Sequence, residues 1–157
     1  MINLIFCAQS DTTAGFFSKN AAALNAAKNR ELDQKALLEI SNLSELKKLV
    51  RAPRYAKKAI RRGSKITFIY QNKQKKVADI NMPENCAIRI NTDELHAWFL
   101  REFGMMFASS ANLHDKSFDM DSSLRICDIL ALDSRGIFEG QSSQILRLGK
   151  TRFKRIR

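Results

Sequence analysis

The sequence predicts a mixed α/β fold, either α+β or an open twisted α/β sheet with flanking helices. Two observations point there. Short β-capable apolar runs recur along the chain, among them Ile66-Thr67-Phe68-Ile69-Tyr70 and Cys86-Ala87-Ile88-Arg89-Ile90. Stretches at helical spacing fall irregularly between them, with several strands in succession and neither a repeat nor a linker. At 157 residues the chain reads as one domain, residues 1–157, with room for one full hydrophobic core.

Taken in order, Asn3 to Ala8 is an apolar run that reads as a buried central strand, followed by a polar loop from Gln9 to Gly15. Phe17, Ala21, Leu24 and Lys28 then lie at helical spacing in an alanine-rich segment, with Ser18 and Asn20 as possible N-caps. Ala36 to Ile40 reads as a strand. Asn42 starts a helix, with Glu45 placed for a capping box, and the helix should end near Arg51 because the residue before Pro53 avoids helical backbone angles. Pro53 opens another short helix that Gly63 closes. After the strand Ile66–Tyr70, Lys73 to Lys76 reads as a charged turn and Val77 to Ile80 as a hairpin mate. Beyond the strand Cys86–Ile90, Asp93 caps a helix over 94–103 that turns Leu95, Trp98, Phe99 and Phe103 to the core. Gly104 ends that helix and Met105 to Ala108 is a strand. Leu113 to Ser123 reads as loop, Ile126 to Leu132 as strand, and Ser134-Arg135-Gly136 as turn.

Composition narrows the function. The chain is 45% hydrophobic and 27% charged, the balance of a folded protein. Its formal charge of +11 favours polyanionic partners such as nucleic acid or nucleotide phosphates. No apolar run reaches membrane-spanning length, and the N-terminus lacks a signal-peptide pattern, so a cytoplasmic protein without membrane contact is expected. Cys7, Cys86 and Cys127 are widely spaced among apolar neighbours and read as reduced, buried thiols. His96 and His114 sit apart from every cysteine, so a protein-only metal site is not expected.

The groups able to do chemistry are few. No acid–base pair or nucleophile stands out; His96 reads as a satisfied core or surface histidine, and Asp11 as a turn or cap residue. The small residues of Phe107-Ala108-Ser109-Ser110-Ala111-Asn112 let a backbone approach a ligand closely, although a polar turn after a strand has the same look. Far upstream, Lys28-Asn29-Arg30 sets two cations around one residue. Ser10-Asp11-Thr12-Thr13-Ala14-Gly15 could cradle an anion but is no Walker motif. Arg89, alone in an apolar strand, needs an anion, which a buried structural acid or a substrate carboxylate or phosphate could supply. Between Glu45 and Arg62 lie eight cations and one acid, either a solvated helix face or an RNA phosphate contact.

Read together, these pieces resemble the YrdC-like family, the threonylcarbamoyl-adenylate synthases of tRNA modification. The family's Pro-Thr-Asp-Thr-x-Tyr-Gly-Leu looks like Gln9 to Phe16, its Lys-x-Arg like Lys28-Asn29-Arg30, and its Ser-Ala-Asn is intact at Ser110-Ala111-Asn112. Thr67 falls on the strand that carries a ligand-binding threonine, Arg89 on the Val-Arg strand, Ser143 in the Pro-Ser-x-Ile stretch and Arg155 in the closing Leu-x-Arg region. The sequence departs from the pattern at Gln9, Ser10, Ala14, Asn91 and Leu113-His114-Asp115. The resemblance implies an open twisted mixed sheet around a large basic cleft, with L-threonine, bicarbonate and ATP combined into threonylcarbamoyl-AMP and pyrophosphate. It implies a magnesium ion held with the ATP, and a downstream tRNA-modification complex as partner. Ser10, Thr12 and Arg89 would hold threonine. Lys28, Arg30, Thr67, Ser110, Asn112, Ser143 and Arg155 would hold ATP and the carboxylated intermediate, with Lys28, Arg30, Ser110 and Asn112 nearest the chemistry. The alternative is a non-catalytic relative that binds RNA or nucleotide through the same fold, with tRNA or double-stranded RNA on its basic surface.

Overall fold

A computed structural model describes residues 3–71, 85–113 and 116–157. Nine strands form one mixed sheet: β1 (Phe6–Gln9), β2 (Ala14–Ser18), β3 (Leu37–Ile40), β4 (Ile66–Gln71), β5 (Asn85–Ile90), β6 (Met106–Ser110), β7 (Ile129–Ala131), β8 (Gln144–Leu148) and β9 (Phe153–Arg155). Their order across the sheet is β7-β1-β2-β6-β3-β5-β4-β8-β9. The pairs β1–β7, β3–β5 and β4–β8 are parallel and the other five antiparallel. Five helices accompany them: α1 (Ala21–Ala27), α2 (Leu43–Leu49), α3 (Lys57–Arg62), α4 (Glu94–Phe103) and α5 (Met120–Ile126), with a 3-10 turn at Arg54–Ala56. The mixed α/β class and its open sheet are as the sequence predicts. The proposed hairpin mate at Val77–Ile80, its charged turn, and His114 lie outside the described residues.

Several expectations need correction. The first strand is buried but not central, since only β7 lies beyond it. Phe17 is not helical. Ala14 to Ser18 form β2, buried at every residue between β1 and β6, and two-sided sheet burial overrides a helical spacing that Phe17 shares with α1 by coincidence. Asn20 is the true cap, its side chain accepting from the amides of Ala22 and Ala23. The segment 113–123 is not all loop: Asp119 caps α5 by accepting from the Ser122 amide at 2.8 Å. Ile126 closes that helix, leaving Ile129–Ala131 as strand. The tail holds β8 and β9, whose alternating charged residues hid them. Glu45 caps α2 in a shifted way, accepting from the Ser41 amide at 2.8 Å while Asn42 accepts from the Glu45 amide at 3.0 Å.

Helix α4 has the predicted bounds but a rotated face. It buries His96, Ala97, Phe99 and Leu100, whereas Trp98 is 58% exposed and Leu95 43%. The physical reason is polar. His96 Nε2 donates to the buried Glu39 carboxylate on β3 at 3.0 Å, which turns that side of the helix to the sheet. Phe6, Phe17, Phe99, Leu100, Met106 and Ala108 then form one apolar cluster beneath α4, each large side chain contributing roughly 1.5–3 kcal/mol by leaving water. A larger cluster around Phe16, Leu24, Leu38, Ile40, Ile60, Phe68 and Ile88 joins α1, α2 and α3 to the sheet.

Candidate functional site

Two cations reach one strand end. Lys28 is the C-cap of α1, and Asn29 follows with φ 55°, a left-handed angle that asparagine tolerates better than most residues. This reversal sends both flanking side chains to β6. Lys28 Nζ donates to the Ser110 carbonyl and, at 3.1 Å, to Asn112 Oδ1. Arg30 Nη1 donates to Ser109 Oγ at 3.0 Å. Asn112 is fixed from behind, donating to the Lys116 carbonyl at 2.6 Å, while Ser123 of α5 donates to the Ala111 carbonyl at 3.0 Å. Burial, and then the neighbouring Arg30 charge, push the Lys28 ammonium down from 10.5 to about 7.

The loop between β1 and β2 folds on one hydroxyl. Ser10 Oγ accepts from the Thr12 and Thr13 amides at 3.1 and 3.2 Å and donates to the Thr13 carbonyl at 2.7 Å. Behind it lies a buried charge network. Arg89, 4% exposed, donates from Nη1 to Thr12 Oγ1 at 2.8 Å and from Nη2 to Glu39 and, at 3.4 Å, to Ser10 Oγ. Asp11 Oδ1 stands 3.5 Å from Nη2. Glu39 also accepts from Asn91 Nδ2 at 3.2 Å and meets His96 Nε2 at 3.0 Å. Burial alone would raise the Glu39 carboxyl, but Arg89 and His96 outweigh it and hold it at about 2. Asp11 is raised, because burial there exceeds the pull of Arg89.

These groups share a cleft of about 490 Å³. Ser10, Thr12, Arg30, Thr67, Arg89, Ser110 and Ser143 line it, and Thr67 Oγ1 lies 2.9 Å from Ser143 Oγ across β4 and β8. Lys28 and Asn112 stand behind this lining, joined to it through Ser110. Arg155 is exposed on β9 and is not part of the wall. Sequence reasoning missed Lys35, Arg147 and Arg157, which add cations to the lining; Arg157 Nη2 donates to the Ser143 carbonyl at 3.4 Å. It also missed Glu39, the one carboxylate among the described lining residues. A signal was there. Leu37-Leu38-Glu39-Ile40 and Ala87-Ile88-Arg89-Ile90 carry one opposite charge each at the same place in two apolar strands, and the two residues are register partners in the parallel β3–β5 ladder. Arg89 thus has a buried acid beside it in Glu39, and His96 is a core histidine.

A strap from Asp133 to Gly140 crosses the same loop. Phe138 donates to Gln9 Oε1 at 3.0 Å, Ala14 donates to the Phe138 carbonyl at 3.0 Å, and Gly140 donates to Thr13 Oγ1 at 3.1 Å. Arg135 pins the strap to Asp93 at 2.8 Å and to the Gln9 carbonyl at 3.1 Å. A Cβ on Gly140 would lie 1.9 Å from the Thr12 carbonyl oxygen, so the crossing requires glycine.

A second, wider cavity of about 1130 Å³ lies elsewhere, among α2, α3 and the β8–β9 turn. Lys47, Arg51, Arg54, Lys57, Arg61 and Lys150 surround it, with no carboxylate among its described lining residues. Tyr55 joins its two halves, its hydroxyl donating to the Gly149 carbonyl at 2.8 Å. No cluster of three or more His, Cys, Asp or Glu side chains suited to a metal ion occurs among the described residues. Nor is any described helix long and apolar enough to cross a membrane.

The chain is a mixed α/β protein with cations and small hydroxyls gathered at one cleft. The chain belongs to the Sua5/YciO/YrdC family, whose model, described as "Telomere recombination", matches residues 13–157. Among solved structures it is similar to P. abyssi Sua5 complexed with L-threonine, with TM-score 0.76 and 17% identity over 98% of this chain and 50% of that one. It is similar to E. coli YciO, with TM-score 0.78 and 14% identity over 99% and 82%. It is also similar to T. kodakarensis HypF, with TM-score 0.80 and 11% identity over 99% and 22%. The chain thus spans about half the length of Sua5. At these identities the likeness establishes the fold. No curated protein matches the chain.

Proposed function

We propose that the chain is a nucleotidyltransferase of the L-threonylcarbamoyladenylate synthase type, forming threonylcarbamoyl-AMP and pyrophosphate from L-threonine, bicarbonate and ATP for tRNA modification. The observation that carries this reading is the convergence of Lys28, Arg30 and the Ser109–Asn112 turn on the cleft that Ser10, Thr12, Thr67, Arg89 and Ser143 share. Membership of the family and the likeness to a Sua5 structure that holds L-threonine support it.

On this reading the threonine amine attacks bicarbonate and water is lost, giving a carbamate. A carbamate oxygen then attacks the α-phosphorus of ATP, and pyrophosphate leaves. No protein nucleophile is needed. The chain's part is to hold two anions together and neutralise the charge that develops. Arg30 and Ser110, with Lys28 and Asn112 behind them, meet the phosphates; Thr67, Ser143 and Arg157 hold the nucleotide; Ser10, Thr12 and Arg89 face the amino acid. Magnesium is expected with the phosphates, but these residues do not offer it a direct ligand, since Glu39 is engaged by Arg89, His96 and Asn91.

The test is pyrophosphate release from ATP by the purified protein in bicarbonate buffer with magnesium. Release that requires L-threonine, fails with serine or alanine, and is lost in Arg30→Ala supports the synthase. A folded protein that binds ATP but releases nothing supports the second reading, a non-catalytic relative that binds nucleotide or RNA. One observation favours that alternative: Ala14, where the family pattern has tyrosine, is wholly buried in β2 and adds nothing to an amino-acid pocket. Under either reading, the basic face around α2 and α3, whose described cavity lining holds no carboxylate, is the surface we propose for tRNA or double-stranded RNA.

A further inference from the structure

We infer that the cavity among α2, α3 and the β8–β9 turn receives one unpaired base of an RNA, while the cations around it take the phosphates on either side. The inference rests on the reading of this face as the RNA surface and deepens it; it is independent of the synthase reading.

Two features of the cavity call for one ligand between them. The first is charge. Lys47 comes from α2, Arg51 and Arg54 from the segment that follows, Lys57 and Arg61 from α3, and Lys150 from the β8–β9 turn, and all of them are exposed. No carboxylate lies among the described lining residues, and Glu45, the nearest acid in sequence to Lys47, is turned to the Ser41 amide at 2.8 Å. Cations gathered from several elements without a counter-charge suit a polyanion. The second feature is the floor. Leu46, Leu49, Val50, Ile60 and Leu148 belong to the larger core cluster, and here they are reached from outside. Apolar atoms at the bottom of a hollow of about 1130 Å³ gain nothing from a phosphate.

An RNA duplex answers only the first feature. Its paired bases stay stacked inside a phosphate and ribose surface, so the floor would remain wet. An apolar peptide answers only the second and leaves the cations unopposed. A nucleotide turned out of the stack answers both. It lays a planar base on aliphatic side chains and arginine planes, and it carries charge at the rim. The hollow is also built in advance. The Tyr55 hydroxyl lies 2.8 Å from the Gly149 carbonyl and 2.9 Å from that of Arg152, which ties the turn bearing Lys150 to the segment bearing Arg54. Phe153 packs against the Tyr55 ring at 5.3 Å. A wall already fixed costs less ordering when the base enters.

The experiment is fluorescence anisotropy at one fixed, low salt concentration with three labelled RNAs. They are a perfect duplex, the same duplex with one bulged adenosine, and the same bulge with the adenine removed to leave an abasic ribose. The two bulged RNAs carry equal numbers of phosphates. The bulged adenosine is expected to bind roughly tenfold more tightly than the duplex, and the abasic bulge to fall back to the duplex value. Arg54→Glu with Lys57→Glu should weaken all three, with ATP binding reporting that the variant is folded. Equal affinity for the three RNAs overturns the inference and leaves the RNA surface standing; no RNA binding at all overturns both. An abasic bulge that binds as tightly as the adenosine bulge also overturns it, because a hinge in the duplex is then read and not a base. So does a bulge preference that the double variant leaves untouched; if that variant does not fold, the wild-type comparison decides alone. Sedimentation of the RNA-free protein covers the remaining occupant: a stable dimer that binds the three RNAs alike gives the hollow to a second copy and sinks the inference.

Discussion

Lys28 carries its charge where burial resists it, and the consequence runs in two directions. With its ammonium lowered to about 7 against 10.5 unfolded, the folded chain binds fewer protons than the unfolded chain between those values. Stability therefore rises with pH through that window, because the cost of burying the charge is relieved as the proton leaves. A phosphate placed beside Lys28 acts the other way and draws the proton back. We expect ATP binding at pH 8 to take up a fraction of a proton, read as a binding enthalpy that depends on the ionisation enthalpy of the buffer. Lys28→Met should abolish that dependence; equal uptake in the variant would place the proton elsewhere. Single residues were also the most legible level of the site. Lys28, Arg30, Ser110, Thr12, Arg89 and Ser143 were all singled out from the sequence and fall in or directly behind one cleft. Glu39 was not, because a lone acid in a short strand gains meaning only when the strand beside it is known.

Among the elements, those with strong local punctuation were readable. Asp93 and Gly104 frame α4 as predicted, since a cap and a glycine at φ 76° act within a turn of where they sit. The face of α4 was not readable, because a histidine 57 positions along the chain from Glu39 decides it. β2 was hidden for the same kind of reason: its identity comes from two neighbours, β1 and β6, and not from its own pattern. The strap over 133–140 is the extreme case, legible locally only as a turn. Its contact with the Ser10–Thr13 loop yields a sharp expectation. Gly140→Ala forces the Thr12 carbonyl and the strap apart, and should destabilise the protein by about 1–3 kcal/mol, read as a lower urea midpoint at unchanged slope. An unaltered midpoint would mean that the strap moves aside at little cost.

At the scale of the molecule, the charge of +11 is not spread evenly. One group of cations faces the cleft, where Glu39 and Asp11 partly offset it, and another surrounds the α2–α3 cavity, with no carboxylate among its described lining residues. RNA affinity, if it resides on the second face, should fall steeply with salt, and Arg54→Glu with Lys57→Glu should flatten that slope while ATP affinity stays the same. Loss of ATP and RNA binding together would join the two faces into one site.

The order of the strands has a consequence in time. Both flanks of the sheet are late arrivals, β7 against β1 on one side and β8 with β9 against β4 on the other. Thr67 meets Ser143 only after that second flank is in place, and the strap reaches the Ser10 loop only once residues near 140 exist. Such long-range pairing is slow to form, since the chain entropy is lost before the contacts repay it. A growing polypeptide that has already made both cation partners and the turn they bind still lacks the walls that close around a ligand. The walls of the cleft are therefore complete only once residues 140–147 have paired with β4 and the Ser10 loop.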